Sequence, residues 1–175
     1  MVNSAQGLTD QSSDNPIAWE QNAASTSPEV PANDLLALPA RKGPSGKHWQ
    51  AQIVSSIDRL LRLPENWNSY GAPRIRHDTA MFAIVVLENI MIPGTPLPSV
   101  VPTTQGGIQF EWHENDIDFE IDVIEPYHCE FTFHDERNNT PPVEGELDNE
   151  LIALEEPISL LTQRNDEQMF ALRRA

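Results

Sequence analysis

Apolar and polar residues alternate in three successive runs between residues 108 and 134 of this 175-residue chain. Apolar side chains take every second position in the runs that begin at Ile108, Ile117 and Cys129. Because successive side chains of a β-strand point to opposite sides, this alternation predicts strands with one apolar and one polar face. The centre of the chain must therefore form an antiparallel sheet that is covered on one side only.

Apolar residues at helical spacing lie on both sides of these strands. They predict one helix over residues 47–63 and a second helix that is capped by Asp78 or Thr79. A last helix is predicted to begin near residues 147–149. Since proline interrupts helical hydrogen bonding, Pro157 is expected to kink or split that last helix.

A shorter apolar stretch at residues 99–103 predicts a fourth strand. It contains Pro102, which cannot donate a hydrogen bond to a neighbouring strand and therefore places this strand at a sheet edge. Helices on either side of a run of strands are typical of the α+β class. We therefore predict a four-stranded antiparallel meander, with two preceding helices and a C-terminal helix packed on one face.

Residues 1–44 are rich in serine, asparagine, glutamine, alanine and proline, and they show no sustained apolar period. Such a segment cannot bury enough apolar surface to offset the entropy of ordering, so we predict a disordered acidic tail. Trp19 and residues 35–38 are candidate docking motifs, which leaves an adaptor role open, although stray apolar residues are the favoured interpretation. Residues 45–175 are predicted to form a single α+β domain.

Acidic and basic residues are unevenly distributed along the chain, whose formal net charge is −16. Residues 1–40 hold five acids and no base, residues 41–76 hold seven bases and two acids, and residues 77–175 hold 20 acids and four bases. Because phosphate contacts come from lysine and arginine, this balance argues against direct binding to nucleic acid or to an anionic membrane. It favours a basic protein as partner, and it leaves pairing with residues 41–76 of the same chain open.

Other functions lack their sequence signatures. The chain has no apolar run near the roughly 20 residues that a membrane helix needs, and its first residues lack the basic and apolar regions of a signal peptide. Cys129 is the only cysteine and falls on the apolar side of its strand, so we predict a buried, inert thiol. Phosphate loops and common catalytic motifs are missing, and we expect a cytoplasmic protein without a cofactor.

The alternation also predicts how the strands pair. A two-residue loop at Asn115 and Asp116, together with a three-residue loop at residues 125–127, keeps all apolar residues on one face. Side chains that share the polar face then lie opposite one another on neighbouring strands. They form three rows: His113–Asp118–His134, Glu111–Glu120–Thr132 and Gln109–Asp122–Glu130.

Two of these rows place like charges directly opposite each other, which destabilises a sheet, so we expect a compensating group. In one interpretation the polar face binds a basic protein surface through Glu111, His113, Asp118, Glu120, Asp122 and Glu130. In a second, a divalent metal is held by His113, Asp118, His134 and neighbouring carboxylates, since two imidazoles and a carboxylate are a common ligand set. In a third, the face is merely solvated.

The loop between the first two helices contains Trp67 and Tyr70, which are the kind of side chains that anchor interfaces. Packing of the helix corner onto the sheet is the favoured interpretation, because a loop of this size needs internal packing. Both residues remain candidate partner-binding residues. Gly71 is predicted to supply an unusual backbone angle.

Two motifs resemble those of a family of small bacterial proteins. Residues 67–72 read W-N-S-Y-G-A and resemble the family's W-D-G-Y-G-A-like loop, and residues 106–112 read G-G-I-Q-F-E-W and resemble its G-G-[IV]-Q-x-E-W strand. An acidic strand like residues 118–123 follows in the family. The likeness covers roughly residues 50–135 and implies a compact bacterial domain, but no catalytic residue. The second and third positions of the loop motif are N-S here, where D-G is common in the family.

The acidic face and the missing catalytic motifs favour a non-enzymatic acidic binding protein. An antitoxin, immunity or inhibitor role toward a basic partner fits this surface best, including mimicry of DNA by carboxylates on a rigid face. The alternative is a metal-dependent enzyme that uses the cluster of His113, Asp118 and His134.

Overall fold

Helices cover one side of a central sheet in the computed structural model, which describes residues 48–147 and 151–174. The predicted disordered tail, with Trp19 and residues 35–38, lies outside the described residues. The described helices are α1, His48–Leu61; α2, His77–Ile90; and α3, Glu155–Leu172, which directly follows a short 3₁₀ helix, Ile152–Leu154.

The sheet is an antiparallel meander in which each strand pairs with the next one along the chain. Its five strands are β1, Ser99–Pro102; β2, Ile108–Glu114; β3, Ile117–Glu125; β4, His128–Asp135; and β5, Val143–Leu147. The α+β class and the edge position of β1 are confirmed. The prediction of four strands is wrong, because the sheet has a fifth.

β5 was missed because its sequence, V-E-G-E-L, has weak strand character. A helix was predicted to begin near residues 147–149, whereas Leu147 is the buried last residue of β5. Gly145 at the centre of β5 lies directly opposite Phe131. A Cβ atom at Gly145 would come within 2.5 Å of the Phe131 ring, so the glycine that weakens the sequence signal permits this close packing.

The predicted register is confirmed in both hairpins of the central strands. β2 and β3 are joined at Asn115 and Asp116, whose φ angles of 58° and 59° are the left-handed values that a type I′ turn requires. The next connection differs from the prediction of three loop residues. Pro126 and Tyr127 form a two-residue turn, and a register shift after Val123 accommodates the extra residue.

The apolar face of the sheet forms the core together with α1 and α2. α1 contacts β1, whereas α2 lies over β2 and β3. Ile53 and Ile57 of α1 are buried, and the rings of Trp112 and Phe119 stack with centroids 5.1 Å apart. Trp112 Nε1 donates a hydrogen bond to the carbonyl of Pro96 at 2.9 Å, so the polar atom of this buried ring is satisfied.

The helix starts differ from the prediction. Arg76 is the N-cap of α2 and makes no side-chain capping bond, whereas Asp78 lies inside the first turn and accepts a hydrogen bond from the backbone N–H of Thr79. Asp78 and Thr79 are therefore not the cap residues. Pro157 neither kinks nor splits α3, because it lies in the first turn, where backbone N–H groups have no helical partner.

A buried ion pair attaches α3 to one end of the sheet. Both carboxylate oxygens of Asp135 lie 2.6 Å from Nη2 of Arg164, and each residue is only 4% exposed. The other terminal nitrogen of Arg164 donates to the carbonyls of Asn115 and Asp116, at 3.2 and 3.1 Å. α3 is thereby fixed to β4 and to the β2–β3 turn.

Within residues 48–147 and 151–174, no helix has both the length and the apolar character that crossing a lipid bilayer requires.

Candidate functional site

The polar face of the sheet is dominated by carboxylates. We call it the acidic face and define it by Glu111, His113, Asp118, Glu120, Asp122, Glu130, His134, Glu144 and Glu146. Glu111 lies opposite Glu120, and Asp122 lies opposite Glu130, as predicted. The register that buries the apolar residues therefore also places these like charges against each other.

β5 extends the acidic face beyond the predicted rows. Glu146 lies opposite Glu130, so that Asp122, Glu130 and Glu146 follow one another across three adjacent strands. Neighbouring strands lie about 4.8 Å apart, close enough for unneutralised carboxylates to repel. Glu144 lies opposite Thr132 and extends the neighbouring row in the same way.

No lysine or arginine occurs in any of the five strands. Among the described residues, Arg62 of α1 pairs with Asp58, and Arg76 before α2 pairs with Asp78. These two cations are therefore matched by local carboxylates and not by the acidic face.

His113 lies among three carboxylates of the acidic face. Its Nδ1 atom is 2.7 Å from an Asp118 oxygen, and its Nε2 atom is 3.9 and 3.7 Å from oxygens of Glu111 and Glu120. The hydrogen bond with Asp118 raises the pKa of His113 above its usual value, although partial burial opposes the shift. His113 can therefore supply one positive charge to this part of the face when it is protonated.

Asp122 has no such partner. Partial burial raises the pKa of Asp122, and the charges of Glu120, Glu130 and Glu111 raise it further. Gln109, in the same cross-strand row as Asp122, instead donates a hydrogen bond to Glu120 at 2.9 Å. The ionised form of Asp122 is therefore disfavoured, and a cation from outside the sheet would stabilise it.

The structure gathers metal-ligating atoms differently from the predicted cluster. Glu111, His113 and Glu120 form one group in which a ligand atom from each residue lies within 4.8 Å of the others. Asp118, His134 and Glu136 form a second such group. His113 and His134 thus belong to different groups, and each group offers one imidazole and two carboxylates.

Tyr70 projects into solvent, with 93% of its surface exposed. Its backbone is held firmly, because its N–H donates to the side chain of Asn68 at 2.8 Å and the N–H of Gly71 donates to the side chain of Asn66 at 2.6 Å. The favoured interpretation, that the loop aromatics pack the helix corner onto the sheet, is therefore wrong for Tyr70. Gly71 has a φ of 90°, as predicted.

Trp67 behaves differently from Tyr70, since it is half-buried. Its Nε1 atom is shielded from solvent and has no hydrogen-bond partner among the described residues. A buried unpaired donor is costly, so Trp67 is held in place by its packing rather than by a polar contact.

The end of this loop meets the sheet. A Cβ atom at Gly106 would lie 2.9 Å from a side-chain carbon of Pro73, so this glycine lets the end of the loop pack against the turn between β1 and β2.

Cys129 is buried on the covered face, as predicted. Burial raises the pKa of its thiol to about 12, with a further contribution from the charge of Asp122. Since the thiolate is the reactive form, Cys129 is chemically inert in the folded protein.

Sequence reasoning missed Glu144 and Glu146 because it missed β5. It also missed the Asp135–Arg164 pair, although the alternation of the sequence indicates the position of Asp135. Asp135 continues the alternation Cys129–Phe131–Phe133, so its position predicts an inward-facing carboxylate that needs a buried cation.

Comparison with known protein families, curated proteins and solved structures finds no match to this chain. The resemblance to small bacterial proteins thus stays a prediction from two short motifs.

Proposed function

We propose that this chain is a non-enzymatic acidic binding protein, of the antitoxin, immunity or inhibitor kind, that neutralises a basic protein partner through its acidic face. The observation that carries the proposal is the opposition of carboxylates across strands that contain no lysine or arginine. A sheet that only had to be stable would place threonine or a cation across from glutamate.

A partner with clustered lysines or arginines supplies the missing charge. Its cations would pair with the row of Asp122, Glu130 and Glu146, whose mutual repulsion is then relieved. Complementary potentials also speed association and exclude acidic competitors. The expected complex forms quickly at low salt and more slowly as salt screens the charges.

Tyr70 is the aromatic contact that we assign to the same partner. A tyrosine offers a large apolar area with a polar end and loses little conformational entropy on binding, which is why it recurs at interface centres. The hydrogen bonds of Asn66 and Asn68 to the loop backbone hold Tyr70 in its projecting position before binding. The loop is thereby preorganised, which lowers the entropic cost of association.

A special case of this proposal is a partner that normally binds DNA. Carboxylates two positions apart on one strand lie about 6.8 Å apart, because each residue advances the strand by about 3.4 Å. Regularly spaced negative charges on a rigid face can occupy a protein surface that otherwise contacts phosphates. Competition with a DNA duplex for the captured partner separates this case from other basic partners.

The decisive experiment is a pull-down from the native host with two variants of equal net charge. Glu120→Lys/Asp122→Lys reverses two charges on the acidic face, and Glu65→Lys/Glu156→Lys reverses two exposed charges elsewhere. We expect the first variant to lose a partner that the wild type and the second variant both retain. Retention by the first variant would contradict the proposal, as would equal loss by both, which would show that net charge alone matters.

A metal-dependent enzyme is the second candidate, favoured by the convergence of Glu111, His113 and Glu120. A histidine nitrogen and carboxylate oxygens suit zinc, iron or manganese. Asp118 is hydrogen-bonded to Nδ1 of His113, which leaves Nε2 available for the ion. This is the usual arrangement around histidines that bind a metal. Purified protein should then retain metal that His113→Ala loses, and metal analysis that finds none in the wild type rejects this candidate.

A further inference from the structure

The cations of the chain divide into two groups by position. In α1 and at the start of α2, Arg62 pairs with Asp58 and Arg76 pairs with Asp78. The only two lysines of the chain, Lys42 and Lys47, lie with Arg41 in the seven residues that precede α1. These seven residues, 41–47, contain no acid, and we call them the basic segment.

α1 lies near one edge of the sheet. α1 begins at His48 and contacts β1, which is the edge strand on that side. Because the basic segment is covalently joined to His48, the β1 edge is the route that we consider for it. The first carboxylate beyond this edge is Glu111, because it pairs with Ser99 of β1, and Glu120 lies next to it in the same row.

The basic segment is long enough to pass around this edge. Seven extended residues span up to about 23 Å. The separation between a sheet and the layer packed on it is about 10 Å, and each of the two strand spacings from β1 to β3 adds about 4.8 Å. The length between His48 and Arg41 therefore exceeds the path from the helical layer to Glu111 and Glu120.

We propose that the basic segment binds the acidic face of its own chain, at Glu111 and Glu120, and competes there with a basic partner. This inference rests on the proposed function for its consequence, since it makes the basic segment an internal competitor for the same surface. Charge complementarity and a short connection favour an intrachain contact, because a linked segment acts at an effective concentration in the millimolar range. Each contact is weak and screened by salt, so a partner with more cations displaces it.

The two lysines make the contact directly measurable. A carbodiimide joins a lysine amine to a carboxylate that it touches, and the only other amine of the chain is its N-terminus. At low salt and low protein concentration, we expect monomeric products in which Lys42 is joined to Glu111 or Glu120. Peptide mass spectrometry identifies the joined residues.

Other cross-linking outcomes overturn the inference. If the lysines are joined only to carboxylates of the helices, the basic segment lies on the covered side of the sheet. Glu88 is one such carboxylate, because it accepts a hydrogen bond from Gln50 of α1. If only cross-linked dimers form, the basic segment binds a second copy of the protein and not its own chain. Absence of any product that involves Lys42 or Lys47 shows that neither lysine touches a carboxylate.

A binding measurement with the full chain tests the competition. The variant Arg41→Gln/Lys42→Gln/Lys47→Gln is compared with Arg59→Gln/Arg62→Gln/Arg74→Gln, which removes the same charge from the helical side. With an oligolysine peptide as probe at low salt, we expect the first variant to bind at least about threefold more tightly than the second, because an internal competitor that occupies the site part of the time lowers the apparent affinity. Equal affinities would overturn the competition.

The two experiments also separate this inference from the proposed function. If oligolysine binds neither variant, a basic partner on the acidic face is rejected, while the cross-links still decide whether the basic segment lies there. If oligolysine binds both variants equally, the acidic face does bind cations and only the internal competitor is rejected.

Discussion

Asp135 and Asp122 lie on adjacent strands of the same sheet, yet their carboxylates have opposite electrostatic environments. Asp135 faces the core and receives two hydrogen bonds from Arg164 and two from Asn138. Asp122 faces away from the helices and lies between Gln109 and Glu130 on the neighbouring strands. One charge is fully neutralised within the chain, and the other is left without a counterion among the described residues.

The pairing of Arg164 with Asp135 shows that a carboxylate of this sheet can be neutralised by an arginine of the same chain. A buried charge without a partner strongly destabilises the folded state, so stability explains the presence of Arg164. A half-exposed charge without a partner costs far less and can persist if the uncompensated surface has a use. The asymmetry therefore favours function, rather than a packing defect, as the reason for the acidic face.

The largest effect is expected at the neutralised carboxylate. Arg164→Met should lower the free energy of unfolding by about 3–5 kcal/mol, because it leaves Asp135 buried without its cation. Urea denaturation measures this change. The double variant Arg164→Met/Asp135→Asn should recover part of it, since the buried charge is gone.

Arg137→Met is the matched control. Arg137 pairs with Asp116 at 3.0 Å on the surface, where such pairs contribute about 0–1 kcal/mol. A loss for Arg164→Met as small as that for Arg137→Met would show that the Asp135 pair is not an essential part of the fold.

The pH dependence of stability should have opposite signs at the two carboxylates. Burial raises the pKa of Asp135, but the bonds from Arg164 and Asn138 lower it further than burial raises it, so the net shift is downward. Its contribution to stability is therefore present above the unfolded pKa near 3.8 and is lost as pH falls through the lower folded value. The raised pKa of Asp122 gives a contribution that is present below 3.8 and is lost as pH rises through the folded value.

Two variants separate these contributions in urea titrations across pH 2–6. Asp135→Asn/Arg164→Met should weaken the loss of stability in acid, whereas Asp122→Asn should make stability fall more steeply as pH decreases. Identical pH profiles for wild type and both variants would contradict the assigned signs.

Neutralising the acidic face should make the protein more stable. Glu120→Thr or Asp122→Asn should raise the free energy of unfolding by about 0.2–1 kcal/mol, because each removes a cross-strand repulsion. Thermal melting measures the gain, and Glu65→Gln, an exposed change away from the sheet, serves as the unaffected control. A loss of stability in both face variants would show that their carboxylates are already compensated.

The smallest effect is expected at His113. Its raised pKa means that its contribution to stability is complete below the unfolded value of 6.5 and is lost as pH rises through the higher folded value. His113→Gln should therefore lower stability by less than about 1 kcal/mol at pH 5.5 and have little effect at pH 9. A deficit that is the same at both pH values would indicate a packing role instead.

The sequence predicted the register because two independent constraints agreed. Alternation fixed which residues share a face, and the Asn115–Asp116 pair is suited to a two-residue turn. Counting residues outward from this turn then places Glu111 opposite Glu120. The part of the acidic face that lies on β2, β3 and β4 was therefore predictable from the sequence, whereas Glu144 and Glu146 of β5 were not.

Other features depended on tertiary contacts that local patterns do not encode. β5 is held by pairing with β4 and by the fit of Gly145 over Phe131, although its own residues are poor strand formers. The partnership of Arg164 with Asp135 joins positions 29 residues apart. The exposure of Tyr70 depends on side-chain hydrogen bonds within its loop, which composition alone does not reveal.

The two outer strands of the sheet have a consequence for self-association. β1 ends in Pro102, which cannot donate to an added strand, and β5 carries Glu144 and Glu146 on either side of Gly145. Charged side chains on an edge discourage another chain from pairing there. Variants that neutralise Glu144 and Glu146 to study partner binding will therefore also remove a barrier to aggregation through β5.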